Sequence, residues 1–276
     1  MVKIITDSSS DLPRDLLARH NIHVVPLSVR IGEEDYQEGT GITPEEFYGK
    51  MFSTAELPKT SQPSPAVFAD AFKEATKEGE PAICFTISSG LSGTYQAALM
   101  GKELSGAEVE IFDTLGGSLG HGLQILKAVE LAEAGYNVAD IMKELYNMRE
   151  KMNIFILLDN LENVVKGGRL SKFQGSVVKV LNIKIILEGI EGKIEVREKV
   201  RGNKRFLKKA LEIIGERKKD FSDTIFGITH TGNFEDVEFI ESQIEERFQP
   251  KQIIINYMGA TMGTYAGRGG MIISFA

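Results

Sequence analysis

Hydroxyl and glycine residues are concentrated where a predicted strand gives way to a predicted helix. The apolar run 82–87 is typical of a buried strand, 95–100 favours a helix, and the sequence SSGLSGT (88–94) lies between them. The first N–H groups of a helix have no acceptor within it and carry the positive end of its dipole, so this turn can bind an anion. We therefore predict a carboxylate or phosphate site here. Ordinary helix capping by Ser92 or Thr94 explains the same residues equally well.

A second group of hydroxyls occurs earlier in the chain, in the segment KTSQPSP (59–65), which is predicted to be a polar loop. Its prolines stiffen the backbone. If Thr60 or Ser61 leans toward Ser92, two hydroxyls can donate to one anionic head group, at about 0.5–1.5 kcal/mol net per hydrogen bond. The alternative is a helix start capped by Ser64.

Several enzyme motifs are absent from the sequence. Ser92 lacks the glycine two positions later that a nucleophile elbow requires, and no phosphate-binding GxxxxGK[ST] loop occurs. The histidines, at positions 20, 23, 121 and 230, do not show metal-ligand spacing. One enzymatic alternative stays open, a small serine-dependent hydrolase or transferase using Ser92 with a histidine such as His230. It requires a histidine within about 2.6–3.2 Å of the Ser92 hydroxyl.

Strands and helices alternate through the first half of the chain. Strands are predicted over 2–6, 23–31, 82–87 and 109–114. This rhythm predicts an α/β fold whose first domain, residues 1–152, is a doubly wound parallel sheet. Ligands of such sheets lie beyond the carboxyl ends of the strands. The polar residues that follow three of these strands, Asp7-Ser8, 88–94 and Asp113-Thr114, should therefore share one edge.

The second half predicts a different sheet. Strands are expected over 154–158, 224–229, 253–257 and 271–275, with an antiparallel hairpin over 183–200 and a glycine-rich loop before the last strand. We therefore expect a C-terminal mixed α/β domain, residues 153–276.

Composition limits the class of protein. The chain has 276 residues and a formal net charge of −7, which argues against nucleic acid as a partner. Its single cysteine, Cys84, falls in a predicted core strand and fits a reducing compartment. No apolar run approaches the ~20 residues of a membrane-spanning helix. We expect a cytoplasmic protein without an integral membrane segment, and a monomer.

Five blocks of sequence together resemble the DegV family, which includes the fatty-acid-binding FakB proteins. The blocks are TDSSSDLP (6–13), KTSQPS (59–64), SSGLSGTY (88–95), VKGGRLSK (165–172) and KVRGNKR (199–205). The resemblance implies a two-domain α/β protein that holds one long-chain fatty acid in a tunnel at or near the domain junction. It implies that Thr60 and Ser92 bind the carboxyl group, with Ser61, Gly93 and Tyr265 as additional candidate contacts.

The resemblance also implies a non-catalytic carrier that needs no cofactor. FakB proteins present their fatty acid to a separate kinase, which uses ATP to phosphorylate the carboxyl group to an acyl phosphate. Arg169 and Arg201, with Lys204, are candidates for facing that kinase, and solvated surface charge is the alternative.

The chain departs from the family pattern near its C-terminus. Many relatives carry a GTHxGPG loop, and here the sequence is GTYAGRG (263–269), with Tyr265 for histidine and Arg268 for proline. A tyrosine can still donate a hydrogen bond. The departure indicates either a changed head-group preference or a changed role. A further alternative is a pure interaction protein with a dry interior, which predicts no tunnel.

Overall fold

A computed structural model describes residues 1–170 and 183–276, in which three sheets are seen. The strands are β1 Lys3–Asp7, β2 His23–Val25, β3 Ser28–Ile31, β4 Glu34–Gln37, β5 Lys59–Ser61, β6 Ala82–Thr86, β7 Val109–Asp113, β8 Asn153–Leu158, β9 Ile183–Ile190, β10 Lys193–Arg201, β11 Ile225–His230, β12 Gln252–Tyr257 and β13 Met271–Phe275. The α-helices are α1 Arg14–Arg19, α2 Pro44–Ser53, α3 Pro65–Ala75, α4 Thr94–Ser105, α5 Leu119–Glu133, α6 Val138–Lys151, α7 Glu162–Lys166, α8 Asn203–Gly215, α9 Phe234–Phe248 and α10 Ala260–Ala266.

The predicted fold class is confirmed. Four parallel strands form one sheet in the order β2-β1-β6-β7. Six strands form a mixed sheet in the order β10-β9-β8-β13-β11-β12, in which only the β11–β12 pair is parallel among the described pairs. The strands of the parallel sheet fall before residue 114 and those of the mixed sheet after residue 152. The domain limits 1–152 and 153–276 stay a prediction.

Helix α5 lies between these two sheets, and its composition explains why it can. Eleven of its fifteen residues are buried, which is typical of a helix surrounded by protein on all sides. Small residues allow close contact: a Cβ atom on Gly120 would lie 2.6 Å from Ile154 of β8, and one on Gly122 would lie 2.9 Å from the Ser10 carbonyl oxygen. Helix α5 therefore packs against both the mixed sheet and the segment that follows β1.

Three local predictions were wrong. The segment 23–31 is not one strand: Pro26 separates β2, in the parallel sheet, from β3, which pairs with β4 and β5 in a small antiparallel sheet. Proline has no N–H to donate to a ladder, so it ends the first pairing. Residues 59–61 were assigned to a loop but form β5. The glycine-rich segment before β13 contains helix α10.

No helix within the described ranges is both long enough and apolar enough to cross a membrane. Of the sequence block 165–172, Ser171 and Lys172 lie outside the described residues.

Candidate functional site

The carboxyl ends of three parallel strands meet at one edge, as predicted. Asp7, at the end of β1, accepts a hydrogen bond at 2.7 Å from the backbone N–H of Ile87, which follows β6. Asp113, at the end of β7, accepts from the Ser89 N–H at 3.2 Å. These carboxylates fix the backbone at the start of the turn 88–94 at this edge of the sheet. Ligands of parallel α/β sheets bind beyond the carboxyl ends of the strands, which is where this turn lies.

The hydroxyls of this turn have separate structural roles. Ser88 is buried, and its hydroxyl donates to the carbonyl of Gly192, at the tip of the β9–β10 hairpin, at 2.6 Å. Ser92 is half-buried, and its oxygen lies 2.9 Å from the Thr94 hydroxyl and accepts from the Thr94 N–H at 3.3 Å. The N-cap of α4 is Gly93, without a side-chain cap hydrogen bond, so neither Ser92 nor Thr94 is the N-cap that the alternative interpretation required. The Ser92 hydroxyl lines a pocket.

Tyr265 of α10 contacts Thr60 of β5 and, through Arg169, is linked to Leu91 of the turn 88–94. Its hydroxyl lies 2.6 Å from the Thr60 hydroxyl. Its ring packs so closely on Gly167 that a Cβ atom there would lie 2.3 Å from the ring. The guanidinium carbon of Arg169 is 4.7 Å from the ring centroid, a cation–π distance. Arg169 also donates to the carbonyls of Gly167 and Leu91. The side chain of Tyr265 is therefore held on three sides.

These residues surround a polar pocket of 310 Å³. Its lining includes every predicted head-group residue, namely Thr60, Ser61, Ser92, Gly93 and Tyr265, together with Arg169 and Gln62. One backbone donor remains available for a ligand: Gly93 is exposed, and its N–H has no acceptor among the described residues. The pocket therefore combines several hydrogen-bond donors with one guanidinium.

The two arginines predicted to face a partner are separated. Arg169 is half-buried in the pocket, whereas Arg201 is exposed at the far end of β10. β10 begins at Lys193, next to Ile194 of the pocket lining, and eight residues of extended strand place Arg201 about 26 Å from that start. Only Arg169 is positioned to contact a head group.

An apolar cavity adjoins the polar pocket. It measures 50 Å³ and shares Leu91, Ile194, Met262 and Tyr265 with the pocket. Its other walls come from β8, from the hairpin and from the loop before α5, and include Ile154, Ile156, Leu158, Leu187, Gly116 and Gly117. This volume is small beside the 310 Å³ of the polar pocket, so a long acyl chain enters the cavity only if side chains move apart.

The histidines do not supply a base for Ser92. His121 is buried, with Nε2 3.0 Å from the Thr6 hydroxyl, and burial lowers its pKa. His230 accepts from the Gly232 N–H at 3.1 Å and packs against Tyr257 and Phe234. Within the described chain, which contains all four histidines, none is hydrogen-bonded to Ser92. The geometry that a serine hydrolase needs is not seen there.

Two buried carboxylates hold the start of α10, and sequence reasoning missed both roles. Asp11 accepts from the Gly259 N–H at 2.8 Å and from the Ser118 hydroxyl at 2.6 Å. Glu38 accepts from the N–H and the hydroxyl of Thr261, at 2.7 and 2.8 Å. Burial raises the pKa of both carboxyls, and in Asp11 the nearby charge of Glu38 raises it further.

These anchors position the helix that carries Met262 and Tyr265. The only sequence signal was the presence of acidic residues in otherwise small or polar segments, which does not reveal a partner more than two hundred residues away. Sequence reasoning also missed the role of Gln62, which belongs to the segment KTSQPS (59–64). Its Oε1 would lie 2.2 Å from a Cβ atom on Gly93.

Comparison with known proteins agrees with this architecture. The family model described as "Uncharacterised protein, DegV family" matches residues 1–276. A DegV domain-containing protein of Caldanaerobacter subterraneus is 32% identical over 267 residues, covering 96% of this chain and 95% of the relative. One of Staphylococcus aureus strain COL is 34% identical over 270 residues, covering 96% and 95%.

Solved structures extend the similarity to the fold. A DegV family protein from Thermus thermophilus, described for its fatty acid binding, superposes with a TM-score of 0.93 at 30% identity, covering 99% of this chain and 98% of that one. DegV of Bacillus subtilis, described as a fatty acid binding protein, gives 0.90 at 28% identity, covering 99% and 98%. Because the family model covers the whole sequence, the chain belongs to the DegV family.

Proposed function

We propose that this protein binds one long-chain fatty acid, with the carboxylate at Thr60 and Ser92 and the acyl chain in the apolar cavity. The observation that carries the proposal is the junction of the two spaces. A pocket whose walls carry hydroxyls and one guanidinium beside several apolar side chains adjoins a cavity lined mainly by aliphatic side chains, and four residues belong to both. A ligand with an anionic end and an apolar end matches the polar pocket and the apolar cavity beside it.

The head-group end offers donors matched to a carboxylate. The Thr60 and Tyr265 hydroxyls now bond each other at 2.6 Å, and the Ser92 hydroxyl bonds Thr94. Each hydroxyl can turn its hydrogen toward an arriving oxygen, because a hydroxyl rotates freely and also accepts. The Gly93 N–H adds a donor, and Arg169 provides charge. Hydrogen bonds to a charged acceptor are worth more than neutral ones, about 1.5–3 kcal/mol.

The tail end supplies most of the affinity. Each methylene transferred from water to an apolar site contributes about 0.8 kcal/mol. The 50 Å³ cavity must widen to take a full chain, and Met262 on α10 is suited to this movement, since an unbranched methionine adapts its shape readily. The related proteins from Thermus thermophilus and Bacillus subtilis, described as fatty-acid-binding, support this assignment.

The protein acts as a carrier that presents the carboxyl group to a separate fatty-acid kinase, without chemistry of its own. Two features support this part of the proposal. The sequence has no nucleotide-binding loop, and the rim residues Ser61, Gln62 and Gly93 are exposed, so a second protein can reach the head group. The product of the kinase, an acyl phosphate, carries more negative charge than the acid, and the guanidinium of Arg169 favours it.

Native mass spectrometry of the purified protein tests the binding. We expect a mass excess of one long-chain fatty acid, identified after solvent extraction and lost in a Thr60→Ala/Ser92→Ala double variant. A matched control is Thr76→Ala/Ser105→Ala, which removes a half-buried threonine and serine at helix ends outside the pocket. A protein that stays bare after incubation with fatty acids contradicts the proposal.

The carrier role needs its own assay. The loaded protein is mixed with ATP and a bacterial fatty-acid kinase, and acyl phosphate is trapped with hydroxylamine as the hydroxamate. Hydroxamate that depends on kinase, ATP and bound lipid supports presentation. Product formed without the kinase would instead show that the chain itself is an enzyme.

A further inference from the structure

The apolar cavity has a second neighbour besides the polar pocket. On its other side it borders an open groove of 1010 Å³, with which it shares Leu115, Ile154, Gly189 and Gly192. The lining of this groove has no residue in common with the polar pocket. The cavity therefore lies between two neighbouring spaces, of which only the polar pocket is lined by the predicted carboxylate-binding residues.

Ile154 stands between the cavity and this groove. It is 7% exposed and belongs to the face of β8 that also carries Ile156 and Leu158 toward the cavity. Leu158 lies about 13 Å away along the strand. Ile154 is thus the first cavity-facing side chain of β8 and the one that borders both spaces.

Glycines on two elements make room for this one side chain. A Cβ atom on Gly116 would lie 2.9 Å from Ile154 Cδ1, and one on Gly120 would lie 2.6 Å from the same atom. A Cβ atom on Gly189 of β9 would lie 3.3 Å from Ile154 Cβ. Ile154 fills the space beside three glycines that have no side chains of their own. At this point the cavity wall therefore depends on the side chain of Ile154.

We infer that Ile154 is the stop for the methyl end of the acyl chain and sets the longest fatty acid that the protein accepts. This inference rests on the proposed function. A tail that enters from the polar pocket and reaches Ile154 meets a β-branched side chain with little rotational freedom, packed among backbone atoms that cannot move apart. Ile154→Ala removes three carbons, of which Cγ1 and Cδ1 lie in line. The change therefore lengthens the space by about two carbons and opens it toward the groove.

The test measures dissociation constants for saturated fatty acids of about 12 to 20 carbons, in the wild type and in Ile154→Ala. Each accommodated methylene changes affinity roughly fourfold. We expect the preferred length to move up by about two carbons and the affinity for the longer acids, relative to the wild-type optimum, to rise about tenfold or more. Ile154→Val, which removes one methyl group from the end that contacts Gly116 and Gly120, should shift the preference in the same direction by less.

Ile273→Ala and Ile273→Val are the matched controls. Ile273 of β13 is fully buried in the core on the other face of the mixed sheet and lines neither space. These controls should lose stability without a change in chain-length preference. If the Ile154 variants bind fatty acids with the wild-type preference, the stop is not Ile154 and the inference fails while the proposed function stands. If the wild type binds no fatty acid of any length, the proposed function itself fails.

Discussion

The hydroxyl of Tyr265 lies 2.6 Å from the hydroxyl of Thr60, across 205 positions of sequence. The phenol of Tyr265 thus lies against the threonine that is predicted to bind the carboxylate. Its ring is fixed by Gly167 and Arg169. Tyr265 therefore adds a hydrogen-bonding group to the predicted head-group site.

Removing this hydroxyl should weaken ligand binding and leave the fold intact. Tyr265→Phe loses one hydrogen bond, worth about 0.5–1.5 kcal/mol, so we expect the dissociation constant for palmitate to rise roughly 2- to 10-fold. Competition with a fluorescent fatty acid measures this change. Tyr136→Phe, at an exposed tyrosine far from the pocket, is the control. Unchanged affinity in Tyr265→Phe would mean that the phenol does not contact the carboxylate.

The two predicted partner-facing arginines should differ in their effects. Arg169→Ala removes a guanidinium from the pocket, so we expect weaker fatty-acid binding. Arg201→Ala, at an exposed site about 26 Å along β10, should leave that affinity unchanged and lower the rate of acyl phosphate formation by the kinase severalfold. Arg19→Ala on α1, another exposed arginine, controls for lost surface charge. If Arg201→Ala and Arg19→Ala give the same kinase rate as the wild type, Arg201 does not face the kinase.

Contact between the turn 88–94 and the hairpin tip should be sensitive to a single methyl group. A Cβ atom on Gly90 would lie 2.5 Å from the carbonyl oxygen of Gly192, and backbone atoms cannot give way as a flexible side chain can. We expect Gly90→Ala to lower the free energy of unfolding by about 1–3 kcal/mol. Urea denaturation followed by circular dichroism measures it.

A substitution at a second glycine should change the free energy of unfolding in the opposite direction. Gly49 lies on the exposed side of α2, with nothing within 4 Å of an added Cβ atom. Gly49→Ala should therefore raise the free energy of unfolding by about 0.5–1 kcal/mol, because alanine favours the helix. Equal effects at the two positions would contradict the steric account of Gly90.

The buried carboxyl of Glu38 should make stability depend on pH. Its pKa is raised above the ordinary 4.5, chiefly by burial, so the folded protein binds more protons than the unfolded chain at pH values above 4.5. The contribution of Glu38 to stability is then full below the unfolded pKa and is lost as pH rises through the folded pKa. Removing the ionisable group by Glu38→Gln removes this dependence.

Thermal unfolding of both proteins from acid to neutral pH measures the effect. We expect the melting temperature of the wild type, relative to Glu38→Gln, to fall as the pH rises. In Glu38→Gln, Asp11 keeps the rise in pKa caused by burial and loses the part caused by the charge of Glu38. The comparison therefore reports the carboxyl of Glu38 together with its coupling to Asp11. A difference that grows with pH would show that the ionised carboxylate is the stable form in the fold.

Sequence reasoning was most successful where local patterns decide the structure. Ser64 caps α3, as its sequence indicates. The parallel sheet followed from the alternation of elements, and the meeting of Asp7 and Asp113 at the turn followed from the rule for strand ends. These predictions use only residues close in sequence or a general property of parallel sheets.

The rest depended on contacts between distant residues. Nothing near Lys59–Ser61 indicates that it pairs with β3, and the partner strand is revealed only by the folded chain. The helical state of α10 depends on Asp11 and Glu38, which satisfy N–H groups at its start. Gly189 is far in sequence from Gly116 and Gly120, and the three glycines meet around Ile154 only in the folded chain. Such arrangements have no local signature that a single sequence could show.

The position of Tyr265 on a helix held by Asp11 and Glu38 also determines when the proposed lipid site forms during folding. Contacts that span more than two hundred residues are slow to form, because a long loop must close before they can contribute. A nascent chain emerging from the ribosome would therefore have most of its parallel sheet before it had a lipid site. Ligand bound only by the finished fold stabilises all parts of the site together, so acquisition of the fatty acid would mark the completion of folding.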